Sequence, residues 1–232
     1  MRSIRYTEGL LLMITLDKRL SAVAALVRQG SRLADIGTDH AYLPVYLVQS
    51  GVCPSAIASD IGAGPLDAAR RTVTENGLTS EIALRLGDGL STVSADEVDD
   101  VAIAGMGGET IAAILEAAPW VQDGKIRLIL QPMTRAEDLR RWLLTHGFSV
   151  LEEHLIIDGR HLYPVMAAEY TAVPICEDEV AIYGGFFTAE EGRPYRQMMA
   201  EHLLRRAAGL THSGDLTAAA RLVDLSELLK RM

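Results

Sequence analysis

Five short, almost unbroken apolar runs constrain this chain more than any other feature. They span 32–37, 56–59, 82–86, 101–104 and 127–130, and helical stretches follow at 42–49, 67–76, 110–117 and 136–145. A strand with one wet face alternates apolar and polar residues, so runs without alternation belong to strands covered on both faces. Strand alternating with helix predicts a doubly wound α/β domain with a parallel sheet. The pattern then changes. Segments 148–157 and 162–169 read as strands joined through Asp158-Gly159, a two-residue hairpin signal. A parallel crossover needs about a dozen residues or more, so this pair is antiparallel. Pro164 weakens the second of the two strands, because proline cannot donate to a ladder.

A parallel sheet that ends in an antiparallel edge strand is the Rossmann-like arrangement of class I methyltransferases, which bind S-adenosylmethionine (SAM). The methyltransferase domain is expected to occupy 13–174. Residues 1–12 read as a disordered leader, with Met13 as a second candidate start. Segment 16–27 repeats apolar residues at helical spacing, with Thr15 as expected N-cap. After Pro174 the grammar is helical. Tyr195, Met198, Met199, His202 and Leu203 fall on one face, Ser213-Gly214 breaks the pattern, and Leu216, Ala219, Leu222 and Val223 resume it. Segment 175–232 is therefore expected to be an antiparallel helical hairpin that packs on the domain or contacts a large substrate.

The two cysteines, Cys53 and Cys176, lack metal-ligand spacing, so no metal is expected, and no apolar run is long enough to span a membrane. The cysteine usage fits a reducing compartment, read as cytoplasmic. No stable protein partner is inferred. The net charge of −9 is uneven, since 36–179 holds nine Lys and Arg against twenty-two Asp and Glu, while both ends are mildly basic. Binding to phosphates depends on local patches, so the total neither requires nor excludes a nucleic-acid substrate.

Ligands of open α/β sheets bind at the carboxyl ends of the strands. Asp35-Ile-Gly37-Thr-Asp39-His40-Ala-Tyr42 follows the first strand. Gly37 permits a tight turn, and Asp35 offers an acceptor to a ligand ammonium. A dinucleotide site needs G-x-G-x-x-G so that the pyrophosphate can sit against bare backbone. Asp39 would repel that pyrophosphate, whereas SAM carries a sulfonium and an ammonium. Asp60 ends the second strand, where a carboxylate can take both ribose hydroxyls. Asp88, beside Gly89, ends the third and can accept from the adenine amino group. Gly105, Met106 and Gly107 after the fourth strand leave room beside a methyl donor. Each feature alone has a structural reading as a turn or cap; three acids after three successive strands are far more specific.

The blocks Ala34-Asp-Ile-Gly-Thr-Asp-His-Ala-Tyr-Leu-Pro44, Gly87-Asp-Gly-Leu90, Ile103-Ala-Gly-Met-Gly-Gly108 and Leu128-Ile-Leu-Gln-Pro132, with Lys18-Arg19-Leu20, resemble the bacterial tRNA (adenine-22-N1)-methyltransferases, the TrmK family. The resemblance runs from about Met13 to the C-terminus. It implies methyl transfer from SAM to N1 of an adenine in the tRNA D-loop. That nitrogen has an in-plane lone pair, so positioning rather than a base supplies most of the acceleration. Asp39 is the expected group for stabilising the cationic product, with His40 and Tyr42 lining the base pocket. Gln131 is expected to hydrogen-bond the base edge. Lys18, Arg19, Arg28, Arg32, Arg135, Arg140 and Arg141 are candidate phosphate contacts, with solvated surface charge as the competing reading. A small-molecule SAM methyltransferase and a non-catalytic SAM-binding module are the alternative functions.

Overall fold

The computed structural model describes residues 13–173 and 178–232; the expected leader, Cys176 and the expected boundary at Pro174 lie outside them. The chain divides into two compact units, one ending at Ala102 and one beginning at Ile103. Its seven strands hydrogen-bond in the order β3 (Ile82–Leu86), β2 (Ala56–Asp60), β1 (Leu33–Ile36), β4 (Asp100–Gly107), β5 (Arg127–Thr134), β7 (His161–Tyr170) and β6 (Phe148–Asp158).

The first unit contains α1 (Lys18–Leu26), β1 (Leu33–Ile36), α2 (Tyr42–Gln49), β2 (Ala56–Asp60), α3 (Ala63–Glu75), β3 (Ile82–Leu86) and the start of β4 (Asp100–Gly107). All four β1 residues are buried, as the unbroken apolar run requires. β1, β2 and β3 are parallel, in register Leu33↔Ala56 and Ala56↔Ile82. The N-cap of α1 is Asp17, whose carboxylate accepts from Leu20 N; Thr15 lies outside the helix. α3 begins four residues earlier than the apolar spacing suggests, at Ala63, because Gly62 and Gly64 hide the first turn from a hydrophobicity pattern. Two Arg–Asp pairs tie the α1–β1 connection to β4. The Arg28 backbone N and Nε donate to Asp100, and the Arg32 backbone N and guanidinium donate to Asp99.

The second unit continues β4 and adds α4 (Gly108–Glu116), a short 3-10 turn, β5 (Arg127–Thr134), α5 (Ala136–Thr145), β6 (Phe148–Asp158), β7 (His161–Tyr170), α6 (Glu179–Gly184), α7 (Ala189–Ser213) and α8 (Leu216–Arg231). The hairpin is antiparallel, closing at Asp158↔His161 around Gly159, and β7 also pairs antiparallel with β5. Gly214, at φ 89°, ends α7, and Asp215 caps α8 by accepting from Ala218 N. α6 was not legible as a helix, since six residues are too few for an apolar stripe. It packs with α5, β6, α7 and α8 around Leu144, Leu155, Ile182, Phe187, Leu203 and Leu229. The helices after β7 thus share one core with the hairpin.

Candidate active site

The loop between β1 and α2 is built from unusual backbone. Gly37, Asp39 and Ala41 adopt φ of 73°, 50° and 57°. For the two non-glycines this is strained and persists only where surrounding contacts fix it. Those contacts come from β2. Gly37 N and Thr38 N both donate to Ser59 O, at 2.8 and 3.0 Å. Asp39 N donates to one oxygen of Asp60 at 3.3 Å, and Gly62 N to the other at 2.8 Å. Asp60 therefore organises the loop as well as ending the strand, and the helix N-cap is Gly62 instead.

Asp35 is buried and accepts from Thr38 Oγ at 2.5 Å. Burial pushes its carboxyl up to about 6, against that hydrogen bond, and the negative charge of Asp60 adds to the rise. Thr38 was not picked out from the sequence; its position three residues after an acid at a strand end was the available signal. Asp39 and His40 are exposed, with carboxylate and Nε2 3.6 Å apart. The His40 ring stacks on Tyr42 at 5.2 Å and 8°, and Tyr42 is 44% exposed. Asp88 is exposed on the turn after β3. Gly87 N donates to Asp60 O, so that turn is fixed to the end of β2. A Cβ on Gly87 would collide with Thr92 Cγ2, and Gly89 sits at φ 52°. This unit thus holds Asp35, Gly37, Asp39, His40, Tyr42, Asp60, Asp88 and Gly89 at the ends of β1, β2 and β3. The set offers acceptors and negative charge, which fits the hydroxyls, amines and sulfonium of SAM and not a pyrophosphate.

In the second unit, β4 runs further than expected, through Gly105, Met106 and Gly107, and α4 starts at Gly108. Gly105 N donates to Gln131 Oε1 at 3.0 Å, and Gln131 Nε2 donates to Pro132 O at 2.9 Å. Gln131 is wholly buried. Its side chain holds the Gly105 backbone, in place of the expected direct hydrogen bond to a base edge. Gly108 is required for close approach, because a Cβ there would collide with Arg135 O.

The basic residues separate by environment. Arg140 is fully buried against Glu153 and is not a phosphate contact. The Arg28 and Arg32 guanidiniums serve the β4 clamp, with further bonds to Asp99 O and Asp96 O, so their nitrogens are engaged in holding the fold. Arg141 pairs with Glu179 at 3.3 Å. Arg135 is exposed but pairs with Asp138 and Glu109. Arg19 lies 3.8 Å from Asp17, and Lys18 is exposed on α1. No group of three or more His, Cys, Asp or Glu among the described residues could hold a metal ion.

Comparisons with known proteins place the fold in a family. Residues 16–166 match the methyltransferase domain family. The tRNA (adenine(22)-N(1))-methyltransferase of Bacillus subtilis is 41% identical over 172 residues, 74% of this chain and 72% of the relative. The crystal structure of the B. subtilis M1A22 tRNA methyltransferase TrmK superposes with a TM-score of 0.84 at 33% identity, covering 94% of this chain and 99% of that one. A Streptococcus pneumoniae structure in complex with S-adenosyl-L-methionine gives 0.78 at 33% identity, covering 93% and 100%.

Proposed function

Because this chain belongs to the methyltransferase domain family and, at 41% identity to its B. subtilis relative, to the tRNA (adenine(22)-N(1))-methyltransferases, we propose that it methylates N1 of adenine 22 in tRNA. SAM supplies the methyl group. The adenine N1 lone pair forms the new N–C bond as the sulfur–carbon bond breaks, and the base is left cationic.

The observation that carries this reading is the joining of Asp39 and Asp60 through the strained β1–α2 loop. Asp60 is assigned to the ribose hydroxyls, Asp35 to the ammonium and Asp88, with Gly89, to the adenine of SAM. Gly37, Gly105, Met106 and Gly107 keep the backbone open for the ligand. Asp39, exposed and held at a fixed backbone angle, stabilises the positive charge that develops on the base. His40 and Tyr42 present a stacked ring face for an adenine that leaves its own stack, a step costing a few kcal/mol. Gln131 acts through Gly105 as a positioning residue. Lys18, Arg19 and Arg135 remain the assigned phosphate contacts. Segments 13–174 and 175–232 act as catalytic domain and helical appendage. No described helix is long and apolar enough to cross a membrane, and a tRNA substrate fits a cytoplasmic enzyme.

The test is methyl transfer from labelled SAM to an unmodified tRNA transcript, beside a transcript with guanine at position 22. Label is expected in the first alone. Equal labelling of both would overturn the adenine-22 assignment, and label in neither would point to the small-molecule alternative.

A further inference from the structure

β5 and β7 pair from Arg127↔Glu169 to Leu130↔Met166 and no further, although β5 continues to Thr134 and β7 starts back at His161. Two residues on from Leu130 is Pro132; two residues back from Met166 is Pro164. Continued register would set the two prolines opposite each other. Neither has an N–H to donate, so the ladder ends there and the strands part. β6 still pairs with β7 along this stretch, Leu155 opposite Pro164, which holds the outer wall in place. The gap is a cleft of about 230 Å³ closed on its remaining side by α7.

Its lining has a definite chemistry. His161 and Tyr163 lie on one face of β7 with their rings stacked at 5.7 Å and 15°, and a further flat ring can extend that stack. Met198 on α7, 38% exposed, offers a polarizable apolar surface. Arg160, at the hairpin turn, is exposed and makes no ion pair among the described residues. Glu137, the acid lining the cleft, is buried and lies 3.8 Å from Arg135. Aromatic faces with one uncommitted cation suit a nucleobase and its phosphate. The volume is below that of typical cofactor sites and fits one base. Gly105, Met106 and Gly107 do not line it, which sets its lining apart from the residues assigned to the methyl donor.

We propose that the cleft opened by Pro132 and Pro164 captures a second, unpaired base of the tRNA, stacked on Tyr163 and His161 with its phosphate near Arg160. This rests on the tRNA reading above. It makes the β6–β7 hairpin and α7 a substrate-selecting element rather than a packing element alone.

The experiment is steady-state methylation of unmodified tRNA by the full chain, with SAM affinity measured by calorimetry. Tyr163→Ala is expected to raise the KM for tRNA about tenfold, the effect of losing one stacked base. kcat and SAM affinity stay unchanged, and Tyr163→Phe stays near wild type. Met198→Glu, an exposed change that keeps the test open if Tyr163→Ala unfolds, is expected to raise KM similarly by placing a carboxylate beside the base. Arg160→Ala is expected to lower the salt dependence of binding by about one phosphate contact. Unchanged KM in Tyr163→Ala and Met198→Glu, with wild type active, would overturn the cleft alone. A fall in kcat instead would make this the acceptor's own pocket and overturn the proposal. Wild type inactive on tRNA would overturn the function and the cleft together.

Discussion

Arg140 on α5 and Glu153 on β6 lie 2.7 Å apart with neither side chain exposed. Arg140 Nη1 also donates to Ile182 O in α6 and to Tyr195 Oη in α7, and the other Glu153 oxygen accepts from Phe186 N. One ion pair thus joins the sheet to the helices that follow it. Removing one member leaves a buried charge without its partner, which costs about 3–5 kcal/mol. Arg140→Leu and Glu153→Ala should each lower Tm by roughly 10 °C. The double change Arg140→Met with Glu153→Leu should recover part of the loss, because it leaves no buried charge. Thermal melts of the three proteins check this.

Asp35 gives a pH dependence. Its carboxyl moves from an ordinary 3.8 up to about 6 on folding, chiefly by burial. The fold therefore favours the neutral acid. The stability this contributes is complete below pH about 4 and is lost as pH rises to about 6, leaving a cost of about 3 kcal/mol from the buried charge. Asp35→Asn should be more stable than wild type at pH 8 without SAM and equal to it near pH 4, by urea titration. If Asp35 holds the ammonium, SAM affinity should rise about tenfold from about pH 5 to 7 and level off above that, and the variant should lose that slope.

Asp39 separates charge from backbone. Asp39→Asn and Asp39→Gly both tolerate the left-handed φ of 50°, so neither should disturb the loop. Both should keep SAM affinity within about twofold and lose roughly 100-fold in kcat, the scale of one stabilising group. Turnover near wild type in either variant would remove Asp39 from the chemistry.

Gln131 acts at one remove. Gln131→Leu leaves Gly105 N without its acceptor, at a cost of about 1–3 kcal/mol. Gln131→Glu keeps an acceptor for Gly105 N but buries a carboxylate against Pro132 O, so it should not restore the loss. Both losses should appear in kcat and in SAM affinity together, since Gly105 is the group displaced.

Gly108→Ala tests the close approach of α4 to the β5–α5 turn. The added methyl would meet the Arg135 carbonyl, a backbone atom that cannot rotate away. The variant should lose about 1–3 kcal/mol, read as a drop in Tm, even though alanine is otherwise the better helix former.

The strands, the hairpin and the acids at strand ends were legible because each is a local signal. Unbroken apolar runs mark strands covered on both faces, Asp158-Gly159 permits only an antiparallel return, and Asp39 in place of glycine disfavours a pyrophosphate. These follow from sterics, solvation and charge within a few residues. The tertiary structure decided what each polar side chain faces. Arg140 reads like any other arginine after a strand, yet it lies in the core because Glu153 arrives from the next strand and compensates its desolvation. Gln131 reads as a ligand contact, yet the β4 backbone takes its oxygen. Arg28 and Arg32 are held by acids more than sixty residues away. Pro132 and Pro164 each only weaken a strand, and the cleft exists because register sets one against the other. Long-range pairing fixes such partners, and no local pattern encodes it.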